Sequence, residues 1–183
     1  MAETQVKTKR RVADYGEVYT APREVNAMLD LVQQETERIE SRFLEPACGN
    51  GNFLIEVLTR KLAKIAARYG KSRAMAQHRI EYERYAVSAV ASLYGIDILE
   101  DNIRECRSRL YNYFTAHYIN HFGLFLNDDL PNTVKYILDR NIVWGNALTL
   151  QTVDESPRPI VFSEWSLLMG GMVKRRDFSF FEL

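Results

Sequence analysis

Two glycines one residue apart, Gly49 and Gly51, stand in the run RFLEPACGNGNFLIEVL from Arg42 to Leu58. They separate a short apolar stretch from an amphipathic one. Glycine has no side chain to hold a ligand off the backbone, so such a turn between strand and helix suits a nucleotide-like cofactor. The second chemical group is Asp97, which ends the apolar run Tyr94-Gly95-Ile96. Its carboxylate can accept from two neighbouring hydroxyls of a ribose. It can also cap the helix that Glu100 and Asp101 begin, but the order strand, acid, helix favours the ribose role. Asp97 follows Gly49 by 48 residues, against the roughly 20 of the usual dinucleotide pattern, so an insertion must lie between them. His117 and His121 share a helical face, but Tyr118 stands where a metalloprotease helix needs glutamate. Cys48 and Cys106 fit neither a metal spacing nor a disulfide framework. No metal site is expected, and Cys48 reads as a small reduced side chain.

The elements that position these groups follow from periodicity. Leu54, Val57, Leu58, Leu62, Ile65 and Tyr69 trace a helical stripe to about residue 67, before Gly70 breaks it. A second helix is expected from Ser72 to Leu93, with Tyr82, Ala86, Val90 and Leu93 on its face; this is the insertion. Tyr94 to Ile98 reads as a second strand. A long helix carrying Ile103, Cys106, Leu110, Phe114 and His117 follows it. After a loop at Asn127–Pro131 come a short helix from about Asn132 and a third strand within Asn141–Leu148. Ile160 to Phe162 form a fourth strand. Upstream, Thr20 is a candidate N-cap and Pro22 fits a first helical turn. Val25, Met28, Leu29 and Val32 would then form one buried face. Phe178, Phe180 and Phe181 should not stand in water. They supply a last strand, or pack against a partner or a second copy.

The glycine run resembles the cofactor loop of the amino-group (N6-adenine) DNA methyltransferases of restriction-modification systems, Asp/Glu-Pro-Ala-x-Gly-x-Gly-x-Phe. Glu45, Pro46, Ala47, Gly49, Gly51 and Phe53 stand in its places. Gly-Glu-Val-Tyr-Thr-x-Pro resembles the segment that precedes this loop in the family. The resemblance runs from about residue 14 to 150. It implies a Rossmann-like class I methyltransferase fold that binds S-adenosylmethionine (SAM). Tyr19 and Thr20 would lie along the methionine end, Asp97 at the ribose, Ile98 against the adenine ring, and Asn146 with Ala147 at the adenine amino group. Asn146 replaces the family's aspartate there; an asparagine in a strand-exit turn is the plainer reading. Inserted helices after the glycine-loop helix are common in modification subunits.

The chemistry expected of that family is transfer of the SAM methyl group to an exocyclic amino group. The nitrogen is a poor nucleophile until a side-chain oxygen and a backbone carbonyl accept its protons. A ring then stacks on the flipped base. Family members supply these groups from Asn/Asp-Pro-Pro-Tyr/Phe after the fourth strand. This chain has Ser163-Glu164-Trp165-Ser166 instead, so Glu164 and Trp165 are its candidates for catalysis. A core aromatic and a solvated charge are the plainer readings of the two.

With 183 residues, 46% of them hydrophobic, the chain suits one domain over residues 14–183 behind a basic, flexible tail of residues 1–13. Basic and acidic residues balance at 24 each, so no global field favours a polyanion, and nucleic-acid contact would need local patches such as Lys174, Arg175 and Arg176. No apolar run suggests a signal peptide or a membrane span, and a cytoplasmic protein is expected. The sheet looks incomplete, with only four strands before residue 165. DNA is the expected partner, together with a specificity or restriction subunit or a second copy. The alternatives are a non-catalytic SAM-binding subunit that a partner completes, or a methyltransferase with a non-DNA acceptor.

Overall fold

The computed structural model describes residues 6–69, 76–125, 127–167 and 173–180. In chain order come α1 (Lys9–Tyr15), α2 (Pro22–Asp30), α3 (Gln33–Glu37), β1 (Phe43–Glu45), α4 (Asn52–Tyr69), α5 (Ala76–Ala91) and β2 (Leu93–Asp97). There follow α6 (Glu100–Phe122), α7 (Asp129–Asn141), β3 (Ile142–Asn146), β4 (Gln151–Thr152), β5 (Val161–Leu167) and β6 (Val173–Ser179). The expected break at Gly70, the helix start at Ser72 and Phe181 lie outside the described residues.

Every residue of β2 is buried, which is how a strand covered on both faces reads. It pairs in parallel with β1, Leu44 opposite Tyr94, and with β3, Ile96 opposite Val143. Antiparallel β4 completes the order β1-β2-β3-β4. This is the α/β, Rossmann-like arrangement that the sequence implies.

Side chains alternate across β2 and so sort the core into two. Leu93 joins the helical core of Leu54, Leu58, Ile65, Val90, Ile103 and Leu110, while Tyr94 and Ile96 face the other way. The α4 stripe repeats every three or four residues and is buried along its length. On α6 the stripe continues to Tyr118 rather than His117. His117 instead lies beside Tyr82, its Nδ1 2.7 Å from the hydroxyl. Lys61, inside the α4 stripe, donates to the Ile39 and Ser41 carbonyls and to Ser92 Oγ, tying α4 to the approach of β1. On α2 only Val25 and Leu29 are buried; Met28 and Val32 are exposed. Its N-cap is Ala21, not Thr20, and no side chain caps it.

The second face of the sheet is covered by a hairpin. β5 and β6 pair antiparallel, Phe162 opposite Phe178, and form their own two-stranded sheet. Ile160, Phe162, Phe178 and Phe180 pack on Tyr94, Ile96, Val143 and Ala147. Full burial of a side chain such as Ile160 or Phe162 contributes about 1.5–3 kcal/mol, and Phe178 and Phe180 are partly buried against them. The expected fourth strand therefore does not extend the parallel sheet. Among the described residues β1 pairs with β2 alone, and Leu44 is half-exposed.

Within the basic N-terminal segment, residues 9–15 form α1. Thr8 Oγ1 caps α1, and Gly16, at φ +66°, ends it. None of the residues of α1 is buried. Arg11 instead pairs with Asp101 at 2.6 Å and with Glu17 at 2.7 Å, and Lys7 with Glu105 at 2.7 Å.

Candidate functional site

A cleft of about 510 Å³ opens at the carboxyl ends of β1, β2 and β3, where open α/β sheets hold their ligands. Its floor is Glu45, Pro46, Ala47, Cys48 and Gly49. Tyr19, Thr20, Asp97, Ile98, Asn146 and Ala147 line the cleft as well, with Phe53 at the start of α4. Of the residues read from sequence as cofactor-binding, the cleft gathers all but Gly51.

The loop is braced from beneath. The Cys48 N–H donates to the Ile96 carbonyl and the Gly51 N–H to the Cys48 carbonyl, both at 2.8 Å. Gly49 has φ +51°, and a Cβ there would lie 3.2 Å from the Tyr19 ring. Gly51 has φ +91°, and its Cβ would fall 2.6 Å from Cys106 Sγ. The sequence reading has Gly51 leave room for a ligand. The structure corrects this: the space belongs to Cys106 of α6.

Asp97 is 8% exposed. Its Oδ2 accepts the Gly49 N–H at 2.8 Å, and its Oδ1 accepts the Leu99 N–H at 2.9 Å and Asn102 Nδ2 at 3.2 Å. A carboxylate has about four acceptor sites, so most of Asp97 is spent on tying the loop to β2 and α6. Asn146 is committed in a similar way. Its Oδ1 accepts the Leu148 N–H at 2.9 Å, an Asx turn that leaves the amide NH₂ without a hydrogen-bond partner among the described residues.

Glu17 and Asn102 were missed from sequence. Asn102, 1% exposed, accepts from Tyr19 Oη at 3.0 Å and Lys7 Nζ at 3.0 Å, and donates to Glu17 Oε1 at 2.7 Å. Glu17 also accepts from Arg11 and Tyr19. Burial holds the Tyr19 hydroxyl up at about 12, and the Arg11 guanidinium pulls Asp101 down to about 2. Glu17 could have been found: two residues before Tyr19 in an extended segment, it shares that side chain's face. Burial raises the Glu45 carboxyl above its ordinary range, and a single bond from the Ala47 N–H, at 3.3 Å, opposes the shift.

Glu164 and Trp165 are elsewhere. From Ile160, whose N–H donates to Leu150, β5 runs back to Ser163, whose N–H meets Asn141 Oδ1 where β3 begins. Glu164 therefore pairs with Arg42 at 3.3 Å, and Trp165 meets the Tyr136 ring edge-on at 5.8 Å. Both line a separate cavity with Arg84 and Ser92, at the amino end of β2. Lys174, Arg175 and Arg176 are exposed on β6, where Arg175 pairs with Asp177 at 3.1 Å. His121 Nδ1 lies 2.9 Å from the His117 carbonyl. Among the described residues no three His, Cys, Asp or Glu side chains cluster as a metal would need. No described helix is long and apolar enough to cross a membrane.

A nucleotide-type cleft on a parallel sheet, with a glycine loop tied to an acid on the next strand, defines a Rossmann-like cofactor-binding domain. Residues 25–148 match the family described as RMKL-like, methyltransferase domain, and the chain belongs to that family. It is therefore a methyltransferase, and SAM-dependent methylation is the general activity. No curated protein and no solved structure gave a significant match.

Proposed function

We propose that the chain binds SAM in this cleft and serves methyl transfer to the exocyclic amino group of adenine in DNA. The observation that carries the reading is the glycine loop at the carboxyl end of β1, open to the cleft and braced by Asp97. The donor set fits the cofactor. The α2 N-terminus, beside Thr20, favours the methionine carboxylate. Asp97 keeps one acceptor site for a ribose hydroxyl, Ile98 is a partly exposed apolar surface for the adenine ring, and Asn146 offers its NH₂ to that ring. SAM supplies an activated methyl on a sulfonium. Tyr19 and Glu17 wall the cleft, and Asn102 links them to Asp97.

Calorimetry with SAM tests the premise; absence of binding by the folded wild type would overturn it. Transfer of a labelled methyl group to adenine-containing DNA tests the acceptor. RNA is the necessary comparison, because the family also includes RNA methyltransferases.

A second reading has the chain act with a partner, a specificity or restriction subunit or a second copy, that supplies the acceptor groups. Two observations favour it. β5 carries Glu164 and Trp165 away from the cleft, and β1, the strand that leads into the glycine loop, has an open edge among the described residues. In doubly wound sheets the ligand lies where strand order reverses, with a second half beyond that strand. Methyl incorporation that appears only on adding the partner would support this reading. Full activity of the isolated chain would remove it.

A further inference from the structure

The proposed acceptor is a polyanion, yet the lining of the cofactor cleft includes no lysine or arginine among the described residues. Phosphates must find their cations elsewhere. A second cavity, of about 470 Å³, opens at the amino end of β2, between α5, the approach to β1 and β5. The length of β2, roughly 13 Å at the usual rise of a strand, separates it from the cleft.

Hydrogen-bond donors gather in this cavity. Arg84 and Ser88 stand one turn apart on α5 and so share a face. Among the described residues the Arg84 guanidinium has only a 4.0 Å pair with Glu81, so its fork of donors is open to a ligand. Arg42, just before β1, is exposed and makes a 3.3 Å contact with Glu164. The indole N–H of Trp165 is buried and has no hydrogen-bond partner among the described residues, although a buried tryptophan ordinarily finds one.

The hairpin adds positive charge. Arg176 lies opposite Glu164 and Lys174 opposite Ser166, which places both cations on the same face of the hairpin as those two lining residues. Against Arg42, Arg84, Lys174 and Arg176 the cavity sets two carboxylates, Glu40 and Glu164, so positive charge is in excess. A phosphate uses such a set well: a guanidinium fork meets its oxygens two at a time, and hydroxyl and N–H groups serve the rest. Tyr85 and Trp165 give the lining two aromatic rings, the surface on which a base stacks.

We propose that this cavity is a phosphate site for a nucleotide, free or within a nucleic-acid strand. The site stands whatever the cofactor cleft binds. Within a strand, the held phosphate is the backbone contact that the cleft itself does not offer.

The chain's two tryptophans allow a direct test. Trp144 donates to the Ile98 carbonyl beside the cleft, so a Trp144→Phe chain reports from Trp165 alone. Thymidine monophosphate and oligothymidylate are the probes, because neither carries the adenine of the cofactor. Calorimetry on wild type measures the same constants without the substitution. The nucleotide should bind saturably and change Trp165 emission, while thymidine, which lacks the phosphate, should do neither. Oligothymidylate binding about tenfold or more tightly than the mononucleotide assigns the site to a strand; equal affinities assign it to a free nucleotide. Arg84→Gln should weaken binding about tenfold. Glu164→Gln, which releases Arg42 from its carboxylate, should tighten it about two- to fivefold, a gain that a merely structural role would not produce. Circular dichroism checks that both variants are folded. No binding of either probe by wild type would overturn the proposal, as would thymidine matching its monophosphate, an unchanged affinity in Arg84→Gln or a loss in Glu164→Gln.

Discussion

Gly51→Ala separates two costs that the glycine loop has to avoid. At φ +91° an alanine is in a region that L-residues rarely adopt, which costs about 1–3 kcal/mol. Its Cβ would also lie 2.6 Å from Cys106 Sγ, on a helix face where Cys106 is 0% exposed and cannot swing out. Overpacking of that kind costs about 1–3 kcal/mol. Together they amount to about 2–6 kcal/mol, a large part of a domain's usual stability of about 5–15 kcal/mol. Cys106→Ala removes only the sulfur. The remaining Cys106 Cβ is 3.5 Å from the new methyl, an ordinary contact. The double variant should therefore recover the packing cost and keep the backbone cost, giving a favourable coupling of about 1–3 kcal/mol in a double-mutant cycle. Urea unfolding of wild type, both single variants and the double, followed by far-ultraviolet circular dichroism, measures it. Additivity within about 0.5 kcal/mol would refute the claim that Gly51 exists to admit Cys106.

Further expectations address other parts of the molecule. Arg11→Ala should loosen α1, which has no buried residue and is held by pairs to Asp101 and Glu17. SAM affinity of wild type should weaken between low and high salt, and the variant should lose that dependence; parallel salt curves would count against a charge-held strap. Burial lowers the Lys61 ammonium to about 7, below its unfolded value of roughly 10.4. The unfolded chain then binds more protons between those values, so stability rises with pH across that window by up to about 1.4 kcal/mol per unit. Subtracting a Lys61→Met profile, measured by urea unfolding at each pH, should isolate this slope, and parallel profiles would contradict it. Glu164→Ala and Trp165→Ala should each leave SAM affinity within about twofold of wild type, since changes remote from a site couple weakly. A tenfold loss in calorimetry would mean that β5 reaches the cleft after all.

The sequence was most legible where local pattern and global fold agree. The α4 stripe, the strand ending at Asp97 and the glycine turn each depend on neighbours within a few residues, and each was placed within a residue or two. The groups read least well take their partners from far along the chain. Asn102 looks like any polar residue near a helix start; it becomes a hub only when Lys7 and Tyr19 fold onto it from the N-terminal segment. Gly51 was identified as necessary but for another reason, because its neighbour Cys106 belongs to a different element. The ion pairs of the basic segment were not legible either, because its charge was visible while its partners, Asp101 and Glu105, were 90 residues or more away. Strand direction was the largest gap. Nothing in Ile160-Val161-Phe162 says which way a strand will run.

That direction has consequences for function. Had β5 lain parallel against β1, its end would have reached the carboxyl edge of the sheet, and Glu164 and Trp165 would face the cleft. Paired instead with β6, it covers Tyr94 and Ile96 and carries those residues to Arg42 and Tyr136. On the proposed reading the cofactor half needs nothing from β5. Asp97 and Cys106, which fix the glycine loop, come from β2 and α6, and Asn102 is a residue of α6 as well. On the proposed reading, groups that strip protons from an acceptor amine must then enter beside Glu45, Pro46 and Ala47, along the open side of β1. On that reading binding and transfer are separable in this fold: the first is built into β1–β3 and α6, and the second depends on what is set against the β1 edge.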